Sequence, residues 1–205
     1  MIVSEPNEIE ARSMAIIESE LAFPIPEENK AVVKRVIHCT ADFDYAENLA
    51  FSENAVAKGL SALRRGCRIV TDTQMAKAGI NKAAAAKLGV EIECFMSDPD
   101  VARIAKERGF TRAIASMEKA ALLEGETMFV IGNAPTALLR LKELIDEGRV
   151  CPALIVGVPV GFVNIIESKT AIMEANVPYI VAKGRKGGSN VAAAIVNALM
   201  YQITR

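Results

Sequence analysis

Three observations predict an α/β fold in which helices cover both faces of a parallel sheet. First, five short apolar runs punctuate the chain, at residues 67–71, 90–95, 128–131, 153–158 and 178–182. They are too short and too rich in β-branched residues for buried helices. Second, segments with apolar residues at helical spacing separate the runs. Strands alternating with helices demand right-handed parallel crossovers. Third, 51% of the chain is hydrophobic, with Ala and Val abundant, as a sheet covered on both sides requires. The 205 residues contain no low-complexity linker and no second set of elements, so residues 1–205 read as one domain.

Two helices precede this repeat, either packed on one edge of the sheet or used as an arm facing a partner. Ser4-Glu5-Pro6 opens the first with a capping hydroxyl, an acidic residue and an early proline. Ile9, Ser13, Ile16 and Ile17 continue it at helical spacing, and Phe23-Pro24-Ile25-Pro26 cannot be helical. The second helix starts near Glu27, buries Val32, Val33, Val36 and Ile37, and stops near Thr40. There Thr40-Ala41-Asp42-Phe43-Asp44 reads as a polar bend. Ser52 is expected to cap a helix that Gly66 closes. After the first strand, Asp72-Thr73-Gln74-Met75 turns into a short helix. Asn81, Ser97-Asp98-Pro99 and Thr111 open the next three. Thr136 is expected to cap the helix after the third strand, residues 167–176 to be helical, and Ser189 to cap the last helix.

Composition removes several function classes. A net charge of −1 argues against general binding to nucleic acid or membrane surfaces. Aromatic residues are 5% and Trp is absent, so a base-stacking platform is not expected. Cys39, Cys67, Cys94 and Cys151 form no CxxC pair and read as reduced thiols of a cytoplasmic protein. The polar, acidic stretch Met1-Ile2-Val3-Ser4-Glu5-Pro6 is no signal peptide, and no apolar run approaches the ~20 residues of a membrane span. The first strand–helix turn lacks glycine, which disfavours a dinucleotide site, and neither GxxxxGK[ST] nor GxSxG occurs. One histidine cannot build a histidine-based metal site, and no cofactor site is legible.

Two features with chemical capacity remain. His38, the sole histidine, falls in the last turn of the second helix, where peptide dipoles favour an imidazolium. Asp42 and Asp44 are near it in sequence. It is a candidate general acid, although the same position also suits a partly buried His satisfied by a carbonyl. The other feature is a set of loops at strand ends. Gly132-Asn133-Ala134-Pro135-Thr136 offers free backbone N–H groups at a helix start, which favour a carboxylate or phosphate. Gly184-Arg185-Lys186-Gly187-Gly188-Ser189 adds two cations, permissive glycines and a hydroxyl, where open sheets bind ligands. Pro159-Val160-Gly161-Phe162 ends the fourth strand. Arg112 and Lys169, taken alone, each favour a reading as plain helix-surface charges.

These segments together resemble the precorrin-8X methylmutases, a family that includes the cobalt-precorrin-8 methylmutases. The resemblance rests on Arg12-Ser13, Val36-Ile37-His38, the stretch from Gly132 to Leu138, Pro159-Val160-Gly161-Phe162-Val163, Glu167-Ser168-Lys169 and the Gly184–Ser189 loop. It spans nearly the whole chain. Asn164-Ile165-Ile166 departs from the small residues usual between the last strand-end motif and Glu167. The resemblance implies a three-layer α/β/α fold with a five-stranded parallel sheet in the flavodoxin-like order 2-1-3-4-5. It implies a homodimer with a shared active site. It also implies an isomerase that moves a methyl group from C11 to C12 of a contracted tetrapyrrole, with no cofactor and no methyl donor. The family's catalytic histidine falls on His38, which would protonate a ring nitrogen. The residues expected at the substrate are Arg12, Ser13, Thr40, Asp72, Arg112, Asn133, Pro135, Thr136, Gly161, Lys169, Arg185, Gly187, Gly188 and Ser189. A non-catalytic tetrapyrrole carrier on the same fold would use the same basic loops without needing His38. A flavodoxin-like FMN binder is disfavoured by the missing glycine after the first strand.

Overall fold

The computed structural model describes residues 4–205. The first three residues of the N-terminal stretch lie outside the described residues. Helices α1 (Pro6–Glu20) and α2 (Glu27–Thr40) come first, and a one-turn helix α3 (Tyr45–Asn48) follows the polar bend. The strands are β1 (Leu49–Phe51), β2 (Arg68–Thr71), β3 (Ile92–Glu93), β4 (Thr127–Ile131), β5 (Leu154–Gly157) and β6 (Tyr179–Ala182). Between and after them stand α4 (Ala55–Arg64), α5 (Gln74–Gly79), α6 (Lys82–Lys87), α7 (Pro99–Arg108), α8 (Arg112–Ala120), α9 (Pro135–Asp146), α10 (Ile165–Met173) and α11 (Ser189–Thr204).

Among the described residues the sheet has six strands in the order β1-β6-β5-β4-β2-β3, so the expected count of five is corrected. The five strands that the sequence predicts pair in parallel, in the order β3-β2-β4-β5-β6. The addition is β1, antiparallel to β6 through Leu49↔Ala182 and Phe51↔Ile180. Three residues are too few to display a period of two, which is why β1 was not legible. The second strand is shorter than predicted because β3 lies at an edge and pairs only with Ile69 and Val70; Phe95 to Ser97 then form a 3-10 turn.

Alternation along the strands builds two cores. Along β4, wholly buried, Met128 and Val130 face one side while Phe129 and Ile131 face the other. Helices α2, α4, α6 and α11 pack on the first face, and α7, α8, α9 and α10 on the second. Helix α2 lies on α11, and α1 lies on α2. The N-terminal helices therefore extend one helical layer. Helix α1 buries Ile17 and packs Met14 partly against the same core, and ion pairs add to its attachment: Glu18 meets Lys30 and Lys34, and Glu10 meets Arg35 and Arg205.

Several predicted caps are corrected. The carboxylate of Glu5, not Ser4, accepts the Glu8 N–H at 2.7 Å. Ser52 serves the sheet edge instead, accepting the Tyr179 N–H at 2.9 Å, and Asn54 stands at the start of α4. Pro135 occupies the first turn of α9, which moves the cap from Thr136 back to Ala134. Gly188 precedes α11, leaving the Ser189 hydroxyl free to bond elsewhere. The helix read over residues 167–176 runs from Ile165 to Met173. Asn81 and Thr111 cap as predicted.

Candidate active site

Four loops meet at the C-terminal ends of β2, β4, β5 and β6. Each contact is short and local. The Thr73 and Ser189 hydroxyls lie 2.8 Å apart. Gly188 donates its N–H to Val158 at 2.8 Å, and Gly161 donates to Arg185 at 3.2 Å. Two glycines permit this convergence. A Cβ on Gly132 would lie 2.7 Å from the Ser189 Cα, and one on Gly187 would lie 2.1 Å from the Val158 carbonyl oxygen. Backbone packs on backbone at both points, which leaves no room for a side chain.

The loop after β4 does not hold its N–H groups open. Asp72, fully buried at the end of β2, accepts from Gly132 at 2.9 Å, Asn133 at 2.8 Å and Ala134 at 2.6 Å. Burial pushes its carboxyl up from the ordinary value, and the three donors pull against that. Three donors suit the ionised carboxylate, which is acceptor-only. The expectation of free N–H groups at this turn is therefore corrected: the anion there is internal, supplied by Asp72, which is fully buried.

Lys169 is likewise buried behind the loops. It is 1% exposed and donates at 2.8 Å to the carbonyls of both Gly184 and Lys186. Desolvation pulls its ammonium from 10.5 down to about 8. Lys186 is committed too, with Asp42 at 2.6 Å and Asp44 at 2.5 Å. Those carboxylates hold the Lys186 ammonium above its ordinary value, and Lys186 holds Asp42 below its own. Asp42 and Asp44, read as near neighbours of His38, thus pair with Lys186. The pairs tie the α2–α3 bend to the Gly-rich loop.

His38 is exposed in the last turn of α2. On one side it lines a shallow cavity of about 290 Å³ with Cys39, Gly79, Asn190 and Asn197. On the other it lines a second, of about 270 Å³, with Ser13, Glu20 and Phe43. The Cys39 thiol lies 3.9 Å from the Asn190 carbonyl oxygen, one residue beyond Ser189. His38 therefore stands beside both Ser13 of α1 and the start of α11. Thr40, one turn on from Val36, donates to its carbonyl at 2.8 Å and accepts from Asp42 at 3.3 Å. The Ser13 hydroxyl is occupied by the Ile9 carbonyl at 2.8 Å, and Arg12 beside it is exposed.

The remaining expected residues divide between the two sides of the sheet edge. Thr136 meets Thr111 at 3.1 Å, which puts exposed Arg112 beside Asn133, Pro135 and Thr136 on the α8–α9 side. Arg185 is exposed, with its guanidinium 5.5 Å from the ring of Phe162, itself 84% exposed. Asn190, Thr73 and Phe162 were not singled out from the sequence. Asn190 and Thr73 each adjoin a residue that was, and Phe162 lies within a loop that was.

Lys169 gives this scaffold a pH signature. Between about 8 and 10.5 the unfolded chain holds a proton on this lysine that the folded chain has released, so its contribution to stability rises with pH in that window. Lys169→Met removes that contribution. The stability lost in the variant, measured by urea unfolding, should be larger near pH 9.5 than near pH 7.5. A loss independent of pH would contradict the burial argument.

Comparison with known proteins places the chain in a family. The precorrin-8X methylmutase family model matches residues 8–202. A cobalt-precorrin-8 methylmutase of Salmonella typhimurium is 47% identical over 208 residues, covering 98% of this chain and 97% of that one. A precorrin-8X methylmutase of Pseudomonas aeruginosa is 39% identical, covering 96% of each. The crystal structure of precorrin-8X methylmutase from Thermus thermophilus superposes with a TM-score of 0.86 at 41% identity, over 94% of this chain and 96% of that chain. With a model match over nearly its full length and relatives well above 30% identity, the chain belongs to the precorrin-8X methylmutase family, the methyl-shifting isomerases of cobalamin biosynthesis.

Proposed function

We propose that this enzyme moves a methyl group from C11 to C12 of cobalt-precorrin-8, or of its metal-free counterpart precorrin-8X, with His38 as general acid. The observation that carries the reading is His38, exposed at the end of α2 between Ser13 and the start of α11. An imidazole titrates near neutrality and delivers a proton within hydrogen-bond reach. Protonation of a ring nitrogen draws electrons from the conjugated system. The C11–methyl bond then breaks as the C12–methyl bond forms, and the ring nitrogen returns its proton. The shift is internal to the substrate, so positioning and one proton are sufficient.

The substrate carries acetate and propionate carboxylates as well as a flat apolar face. Arg185 and Arg112 are exposed cations near the strand ends, and Arg12 is exposed on α1 beside Ser13. Met75, Phe162 and Val163 are 72%, 84% and 74% exposed near the same edge, apolar surface suited to the macrocycle. Gly161, Asn133, Pro135, Thr136, Thr40, Gly187, Gly188 and Ser189 complete the proposed contact set on a flavodoxin-like 2-1-3-4-5 core. Cobalt-precorrin-8 is the favoured substrate, since the Salmonella relative named for it is the more similar of the two compared. The four free cysteines support work in a reducing cytoplasm.

A homodimer with a shared site is part of the same proposal. Ile9, Ile16 and Phe23 on and after α1, and Val160, Phe162, Val163 and Ile166 after β5, are large apolar side chains left exposed in one chain. Sedimentation should show a dimer at working concentration; a fully active monomer would end this part of the reading.

Arg185→Ala and Arg112→Ala should each weaken substrate affinity about ten- to hundredfold through loss of a charge-assisted carboxylate partner. Titration followed by the visible spectrum measures this, and unchanged affinity in both variants would remove them from the site.

His38→Ala should lose ~10²-fold or more of turnover while still binding substrate, because the carboxylate anchors lie elsewhere. His38→Asn, similar in size but unable to titrate near neutrality, should be nearly as inactive. Single-turnover rates equal to wild type in either variant would exclude His38 as the acid. Spectral change at stoichiometric binding without turnover in the wild type would identify a carrier instead.

A further inference from the structure

The loop after β4 has the form of an anion site, and its anion is supplied by the protein. Gly132, Asn133 and Ala134 turn three successive N–H groups onto one carboxylate, that of Asp72. The next residue is Pro135, which has no N–H, so the donors at the mouth of α9 are engaged up to the first helical turn. Asp72 is itself anchored: it follows Thr71, which pairs with Val130, and its own N–H donates to the Val130 carbonyl at 3.3 Å. Gly132 abuts the backbone of Ser189, so any displacement of this turn is felt at the start of α11.

We infer that Asp72 is a positioning residue for the methyl shift, a resident carboxylate that fixes the β4–α9 turn so that Asn133 and Thr136 face the substrate. Two consequences follow from the geometry. The N–H groups of Gly132, Asn133 and Ala134 are closed to a substrate carboxylate, since an internal anion already engages them. Substrate carboxylates are left to the exposed guanidinium groups, and the turn contributes shape and the Asn133 amide. The kinetic part of this inference rests on the proposed methylmutase reaction; the structural part does not.

The test uses the full-length enzyme with Asp72→Asn and Asp72→Ala. Asn retains the size but replaces one acceptor oxygen by a donor that faces N–H groups. Ala vacates a space that formate can enter. Hydrogen exchange at the amides of Gly132, Asn133 and Ala134 should quicken about tenfold or more in Asp72→Ala. Formate should restore protection and raise the melting temperature in that variant and not in wild type. In turnover, KM should rise more than kcat falls, and formate should bring KM back toward wild type. Loss of folded enzyme alone would lower the apparent kcat and leave KM unchanged. The inference is overturned if exchange at the three amides is unaffected in both variants, or if KM is unchanged in both. If wild type turns over neither tetrapyrrole, the reaction assignment fails, and the exchange and formate measurements still decide the role of Asp72 in the turn.

Discussion

The Asp72 carboxylate takes three donors from one turn, and the arrangement of the strand ends depends on it. A buried carboxylate without partners would be costly, and a turn with three unpaired N–H groups would be too. Each removes the other's penalty. With the β4–α9 turn fixed, Gly132 can meet Ser189 backbone to backbone, and Ser189 can meet Thr73 through its hydroxyl. The Gly-rich loop is held from behind by an opposite charge: the Lys169 ammonium bonds to two carbonyls at its base. One buried anion and one buried cation thus support two neighbouring loops.

This division of labour explains what the sequence could and could not reveal. The parallel strands and most helices were legible because hydrophobic period and length are local properties. The loops that meet at the strand ends were legible as a set, through their motifs. Their roles were harder to read. Nothing in Asp72-Thr73-Gln74 says that its carboxylate reaches a turn sixty positions later, and nothing around Lys169 says that its amine points inward. Caps failed at Ser52, Thr136 and Ser189 for the same reason, because a nearby proline, glycine or distant partner claimed the position or the hydroxyl. Long-range polar pairing leaves no periodic trace.

His38 occupies a different kind of position. Its helix ends at Ala41, in a left-handed conformation, and the bend beyond is tied to the Gly-rich loop by Lys186. The two acidic residues near it in sequence are thereby engaged by Lys186. The ring faces shallow cavities on both sides. Rigid backbone on one side and open space on the other leave the imidazole accessible. Lys186 and the Asp42–Asp44 bend are partly exposed, so their attraction is weakened by solvent, and the continuous helix α2 carries most of the positioning.

The two edges of the sheet limit how copies of this chain can associate. One edge is β1, three residues long and antiparallel; the other is β3, two residues long. An exposed strand recruits another by offering a row of unpaired backbone groups, and neither edge offers more than a fragment of one. Growth of the sheet from copy to copy is therefore unfavourable at both ends. The chain is protected from the open-ended pairing that leads to fibrils, and any specific contact between copies is left to side-chain surfaces on helices and loops, which can close into a finite assembly.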